Sequence, residues 1–259
     1  MRSIALALFI SAALIGNVYA SESKHEAPME ENQCVGAGPQ APRDIDIAAG
    51  TNSVVFSQAP AIDNMNLCNV HFHRNAEHKS AAYSTFVEDD SHSGWACKEP
   101  APGRLAMEHA EYNGCAGIAP GDTIEVHWVY TTCDIESEGV KPMGGGLSAC
   151  LTTTCSNPQL RVVAEVFDLE KNGELKFSSD TPVPHNDPVV TYIGSTTGTT
   201  YSNSHCSPFQ VTWDVKKTCG TLDIDDFSKW CSDNKYDDHH AHGVRELVTS
   251  QDLLSKISQ

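Results

Sequence analysis

Basic residues are scarce in this sequence. There are 17 Lys and Arg against 34 Asp and Glu, for a formal charge of -17. Clustered Lys and Arg hold phosphate backbones, so this balance excludes nucleic acid as a partner. Like-charge repulsion instead suits a chain that stays dispersed in water. Long apolar runs are also missing. After residue 20 no stretch approaches the roughly 20 residues that a membrane-crossing helix needs, so membrane insertion is not expected. No Cys-x-x-Cys occurs, which removes the commonest thiolate metal motif. No Walker-type lysine follows the triplet Gly144-Gly145-Gly146, so that triplet is not a phosphate loop. No Asn-x-Ser/Thr acceptor is present, which is compatible with a bacterial periplasm.

The chain opens with Arg2, an apolar run over residues 4–15 and the small-residue site Val18-Tyr19-Ala20. This is the pattern of a cleaved export signal, so residues 1–20 are set aside and the mature chain is expected to start at Ser21. Ten cysteines follow, an even number suited to five disulfides in an oxidising compartment. The possible pairings number on the order of a thousand, so sequence does not give the connectivity. The expected setting is exported, periplasmic or secreted.

Residues 21–45 are polar and carry Pro28, Pro39 and Pro42, which reads as an extended N-terminal arm. Residues 46–259 are expected to form a single catalytic domain. Strand patterns fall at 51–56, 67–73, 83–87, 123–131, 160–169, 189–193 and 209–215. Two short helices are expected late. The first spans 223–231, with Ile224, Phe227 and Cys231 on one face and acids at its N-terminus; the second spans 251–257. The expected fold class is mainly β (α+β): one domain on a central, largely antiparallel sheet with few short helices, stapled by disulfides.

Within this frame, residues 69–78 read Asn-Val-His-Phe-His-Arg-Asn-Ala-Glu-His. His71 and His73 alternate with Val70 and Phe72, so on a strand both imidazoles point to one side. Near residue 125, Glu125 and His127 share one strand face, and Ile124, Val126 and Trp128 share the other. Three imidazoles from two strands fill three corners of a zinc tetrahedron and leave the fourth open, as a catalytic site requires. Glu125 is placed to accept the distal N–H of His127. With twelve histidines in the chain, a lone His-x-His would be unremarkable by itself; the second segment is what raises its significance.

Together these segments resemble the delta-class carbonic anhydrases and their bacterial relatives. The resembling stretches are NVHFHRNAEHKS (69–80), TIEVHWVYTTC (123–133), GGGLSACL (144–151), NPQLRVVAEVF (157–167) and HAHGVRELV (240–248). There is also a local echo of the alpha-class ligand strands. The resemblance implies a zinc lyase that interconverts CO2 and bicarbonate, with one Zn2+ per chain on His71, His73 and His127. Three neutral imidazoles leave the full charge on the ion, so its water loses a proton near neutral pH and the hydroxide attacks CO2. Val129, on the face of His127, is placed to line an apolar pocket for CO2.

Further residues are weighed as candidates. Glu77 either orients a hydroxyl beside the metal or is a surface charge. His78 is an outer-sphere or structural histidine, since a fourth protein ligand would close the open position. Thr152 and Thr153 are candidate hydroxyl partners. The run from Asp237 to His242 is a solvated surface, a proton carrier or an adventitious metal binder, and within it His242 lies in a resembling stretch. Two rival functions remain. A cupin would use His71, His73, Glu77 and His127 as direct ligands for iron or manganese. An exported zinc-binding protein would have several weak sites and no catalysis.

Overall fold

The computed structural model describes residues 33–89, 92–99, 111–135, 150, 155–182 and 187–258. The expected signal peptide, the glycine triplet, Thr152 and Thr153 lie outside these residues. The strands are β1 (Asn66–Arg74), β2 (Thr85–Val87), β3 (Gly94–Ala96), β4 (Glu111–Tyr112) and β5 (Cys115–Ala116). They continue with β6 (Thr123–Thr131), β7 (Leu160–Glu170), β8 (Val189–Ser195) and β9 (Gln210–Asp223), and one helix follows, α1 (Ile224–Ser232).

Five strands form the central sheet in the order β1-β6-β7-β9-β8. Every pairing is antiparallel except β7 with β9. β6 lies inside the sheet and all nine of its residues are buried. Its alternation therefore sorts side chains between two covered faces rather than between core and solvent. Val70, Phe72, Ile124, Val126 and Trp128 pack on one side with Ile224, Phe227 and Cys231 of α1. Val129, Val162, Ala164, Val166, Trp213 and Val215 pack on the other. The face of Val129 is also the face of His127, so the candidate ligands stand on an apolar floor.

α1 forms where its apolar period and its cap coincide. The Asp223 carboxylate accepts hydrogen bonds from the backbone N–H groups of Asp225 and Asp226, satisfying two donors that the helix start leaves free. Phe227 meets Phe72 edge-on, with ring centroids 5.0 Å apart.

Five disulfides join all ten cysteines: Cys34–Cys206, Cys68–Cys150, Cys97–Cys219, Cys115–Cys231 and Cys133–Cys155. Among the described residues no helix is long and apolar enough to cross a membrane.

Three local expectations need correction. Residues 51–56 form no strand; Thr51 and Asn52 donate their N–H groups to Gln251 and Leu254 of the C-terminal segment instead. That same use of its backbone limits the expected helix at 251–257 to a single 3-10 turn, Gln251–Leu253. Leu253, Leu254 and Ile257 are buried, so the segment is anchored by apolar side chains without being helical throughout. β9 runs eight residues beyond Val215, because an irregularity opposite Ala164 and Val166 breaks its alternation.

Candidate metal centre

β1 and β6 pair so that His71 faces His127 and His73 faces Glu125. The ring centroids of His71, His73 and His127 lie 4.8 to 5.3 Å apart, and all three residues are buried. One ligand atom from each lies within 4.8 Å of the others.

The partners of each ring fix which nitrogen is free. His71 Nδ1 is 2.6 Å from Asn69 Oδ1, and His73 Nδ1 is 2.9 Å from the Gly243 carbonyl oxygen. His127 Nε2 is 3.0 Å from Glu125 Oε1. All three partners are acceptors, so each of these nitrogens carries the proton and donates. That leaves His71 Nε2, His73 Nε2 and His127 Nδ1 as bare lone pairs. His71 Nε2 and His127 Nδ1 face each other at 3.2 Å. His73 Nε2 is buried with no hydrogen-bond partner among the described residues. Three ligands at zinc–nitrogen distances of about 2.0–2.1 Å on a tetrahedron stand roughly 3.3 Å apart. The donor set, and the 3.2 Å between His71 Nε2 and His127 Nδ1, therefore fit zinc.

Burial, with the neighbouring imidazoles adding to it, holds the His71 pKa well below the usual 6.5, and burial outweighs the opposing charge of Glu77 to bring that of His73 down to about 4. Neutral imidazole is the form that binds metal.

Glu125 is fully buried, and four donors surround it. Besides His127, it accepts from the backbone N–H of Glu77 at 2.6 Å, that of His78 at 3.1 Å, and His78 Nδ1–H at 2.6 Å. Burial pushes its pKa up, but the electrostatic pull and hydrogen bonds of the His78 and His127 N–H groups overcome this and hold the carboxyl well below its ordinary range. His78 Nε2 then accepts from Tyr192 O–H at 2.7 Å. His78, Glu125 and His127 also lie close enough together to be considered a metal set. Their ligand atoms, however, are already joined by hydrogen bonds, and this cluster supports the first one.

Glu77 Oε1 accepts from the Arg245 backbone N–H at 2.9 Å and lies 4.0 Å from His73 Nδ1. That nitrogen is the protonated one, so Glu77 approaches the far side of His73 from the bare cluster. The four-ligand cupin arrangement is not formed. Glu77 Oε2 is buried with no partner among the described residues. Val129 is fully buried on the His127 face. His242 comes beside the cluster, its ring 5.7 Å from that of His71 and 6.0 Å from that of His73.

Sequence reasoning missed Asn69, Tyr192, Gly243 and Trp213. Trp213 lies 5.1 Å from the His127 ring and 4.8 Å from that of His78. Asn69 was within reach, because it sits two residues before His71 on the same strand face. Tyr192 and Trp213 come from distant segments and carry no motif; Gly243 lies in the resembling stretch 240–248, where nothing marks its carbonyl as a partner of His73.

A family model described as delta carbonic anhydrase matches residues 62–226. No curated protein sequence matches the chain. One similar solved structure is the complex of an alpha-carbonic anhydrase from Thermovibrio ammonificans with the inhibitor sulfanilamide. That match has 15% identity, covers 78% of this chain and 81% of that one, and has a TM-score of 0.29. A likeness this distant carries no part of the argument.

Proposed function

The chain belongs to the delta carbonic anhydrase family, and from that premise we propose that it hydrates CO2 reversibly to bicarbonate on one Zn2+ held by His71 Nε2, His73 Nε2 and His127 Nδ1. The observation that supports this most is the trio of bare, buried imidazole nitrogens. Zinc on three neutral histidines lowers the pKa of the water it carries toward 7 and so supplies a nucleophile at neutral pH, an effect for which carbonic anhydrase is itself the standard example.

The chain's own residues do the rest. Asn69, the Gly243 carbonyl and Glu125 each hold a proton on the outward side of a ligand ring, which orients the ring and raises its basicity. His78 acts through Glu125 rather than on substrate. Val129 contributes to the apolar wall against which CO2 rests. Glu77 has one oxygen committed to Arg245 and the other without a partner among the described residues, and its proposed role is to accept from a hydroxyl, with Thr152 the proposed partner. Residues 46–259 are taken as the catalytic domain, following an export signal at 1–20 and an arm at 21–45. The disulfides support an exported, periplasmic or secreted protein.

The test is stopped-flow CO2 hydration on the oxidised chain from Ser21, with metal content measured on the same sample. One zinc per chain with hydration well above the buffer rate is expected. A chain that holds one zinc and hydrates no CO2 would overturn the reading in favour of a zinc-binding protein.

A further inference from the structure

The cluster uses one His-x-His pair, and the chain contains a second. His240 and His242 flank Ala241 on an extended stretch, with backbone bridges from His240 to Ala116 and from His242 to His73. Ala241 is buried, so both imidazoles turn to the opposite side. Their ring centroids are 4.8 Å apart, closer than the 5.3 Å between His71 and His73.

The inner member of this pair is prepared as His127 is. His242 Nε2 lies 2.6 Å from Asp238 Oδ2, so Nε2 carries the proton and Nδ1 is left as a lone pair. The Asp238 side chain is fully buried, and its Oδ1 has no partner among the described residues. A carboxylate behind an imidazole fixes the ring and raises the basicity of the outer nitrogen, which is the usual support of a metal-bound histidine. His242 Nδ1 and both nitrogens of His240 have no hydrogen-bond partner among the described residues, and His240 is exposed. His239 differs: its Nδ1 is engaged by the Cys231 carbonyl at 2.6 Å and its Nε2 by Asp237 at 3.1 Å.

We propose that His240 and His242 form a second, exchangeable site for a divalent transition-metal cation beside the buried cluster. Imidazole donors select zinc, copper or nickel over magnesium or calcium. Two protein ligands with water completing the coordination give weaker binding than three buried ones, so this ion exchanges while the buried ion stays. The net charge of -17 favours a cation at any exposed position.

The experiment uses tag-free, oxidised protein already carrying its tight metal. Cu2+ and, separately, Zn2+ are titrated in by calorimetry, and the copper sample is examined by electron paramagnetic resonance for nitrogen coupling. One further equivalent is expected, with imidazole nitrogen in its copper spectrum. His240→Ala should lose this equivalent and keep the tight one, and His239→Ala should keep both. Asp238→Asn should weaken the second ion about 10–100-fold. No second equivalent in the native chain, or a second equivalent of full affinity in His240→Ala, would overturn the proposal. His127→Ala separates this site from the proposed catalytic one: it should lose the tight ion and retain the weak one. Loss of both ions in that variant would also overturn the proposal.

Discussion

His127 Nδ1 stands 3.2 Å from His71 Nε2, and neither nitrogen carries a proton, because Glu125 and Asn69 take the protons at the far side of each ring. Two lone pairs at that separation repel in a buried space. A bound ion would turn that repulsion into coordination, with the Nε2 of His73, which has no partner among the described residues, as a third donor. The polar surroundings thus make these three rings poor hydrogen-bond partners for one another and good ligands together.

It follows that His71→Ala, His73→Ala and His127→Ala should each lose most bound zinc and nearly all CO2 hydration. His239→Ala should keep both. Metal content by mass spectrometry alongside stopped-flow hydration checks this. Full activity after His127→Ala would remove the proposed ligand set.

Glu125→Gln keeps the size of the side chain but exchanges a carboxylate for an amide among four donors. The support of His127 weakens, and changes of this kind cost about 10–100-fold in metal affinity or activity. Zinc loss to a chelator should accelerate by that order while circular dichroism stays native. An unchanged dissociation rate would show that His127 does not depend on Glu125.

Much of this site was legible because a strand's period of two is local. His71, His73, Glu125 and His127 needed only adjacent residues to be placed on a face, and β6 was bounded correctly from Thr123 to Thr131. The register that sets His71 opposite His127 is not local, nor is the arrival of Gly243 and Tyr192 from far along the chain. The segments at 51–56 and 251–257 depart from expectation together: the carbonyls of Gln251 and Leu254 accept the N–H groups of Thr51 and Asn52, a long-range pairing that side-chain periodicity does not encode.

Acid should destabilise the metal-free protein. The His73 pKa is about 4 in the fold against 6.5 for an ordinary histidine, and that of His71 is also well below 6.5. Between these values the unfolded chain binds more protons than the folded one, so stability rises with pH across this window and falls as pH drops from 6.5 toward 4. The His73 shift alone corresponds to about 3 kcal/mol. Urea unfolding of chelator-treated, oxidised protein at several pH values across the window measures it. Constant stability there would contradict the burial of neutral imidazoles.

Thiol titration of the denatured, unreduced chain should find almost no free thiol, because all ten cysteines are paired. The Cys115–Cys231 bond ties α1 to β5 across a sequence separation of 116 residues. In the chain-entropy account, losing a bond that closes such a loop costs about 4–5 kcal/mol. The double variant Cys115→Ser, Cys231→Ser should unfold at markedly lower urea. An unchanged midpoint would mean that α1 is held by its apolar face alone.

Tyr192→Phe tests whether His78 works through Glu125 or through its own far nitrogen. His78 Nδ1–H reaches Glu125 Oε1 at 2.6 Å, while Nε2 takes the Tyr192 O–H at 2.7 Å. Removing the hydroxyl strands a buried lone pair on His78 and should cost about 1–3 kcal/mol of stability. The Tyr192 ring also packs beneath the buried Arg43 cation, 5.5 Å from its centroid, and phenylalanine preserves that contact. The hydrogen bond from His78 to Glu125 survives, so zinc should dissociate at close to the native rate. His78→Ala deletes the donor to Glu125 as well and should both destabilise the fold and release zinc faster. Measuring urea midpoints and chelator-driven zinc loss on the two variants separates the roles. If Tyr192→Phe released zinc as fast as Glu125→Gln, the hydroxyl would be part of the metal's support rather than of the fold's.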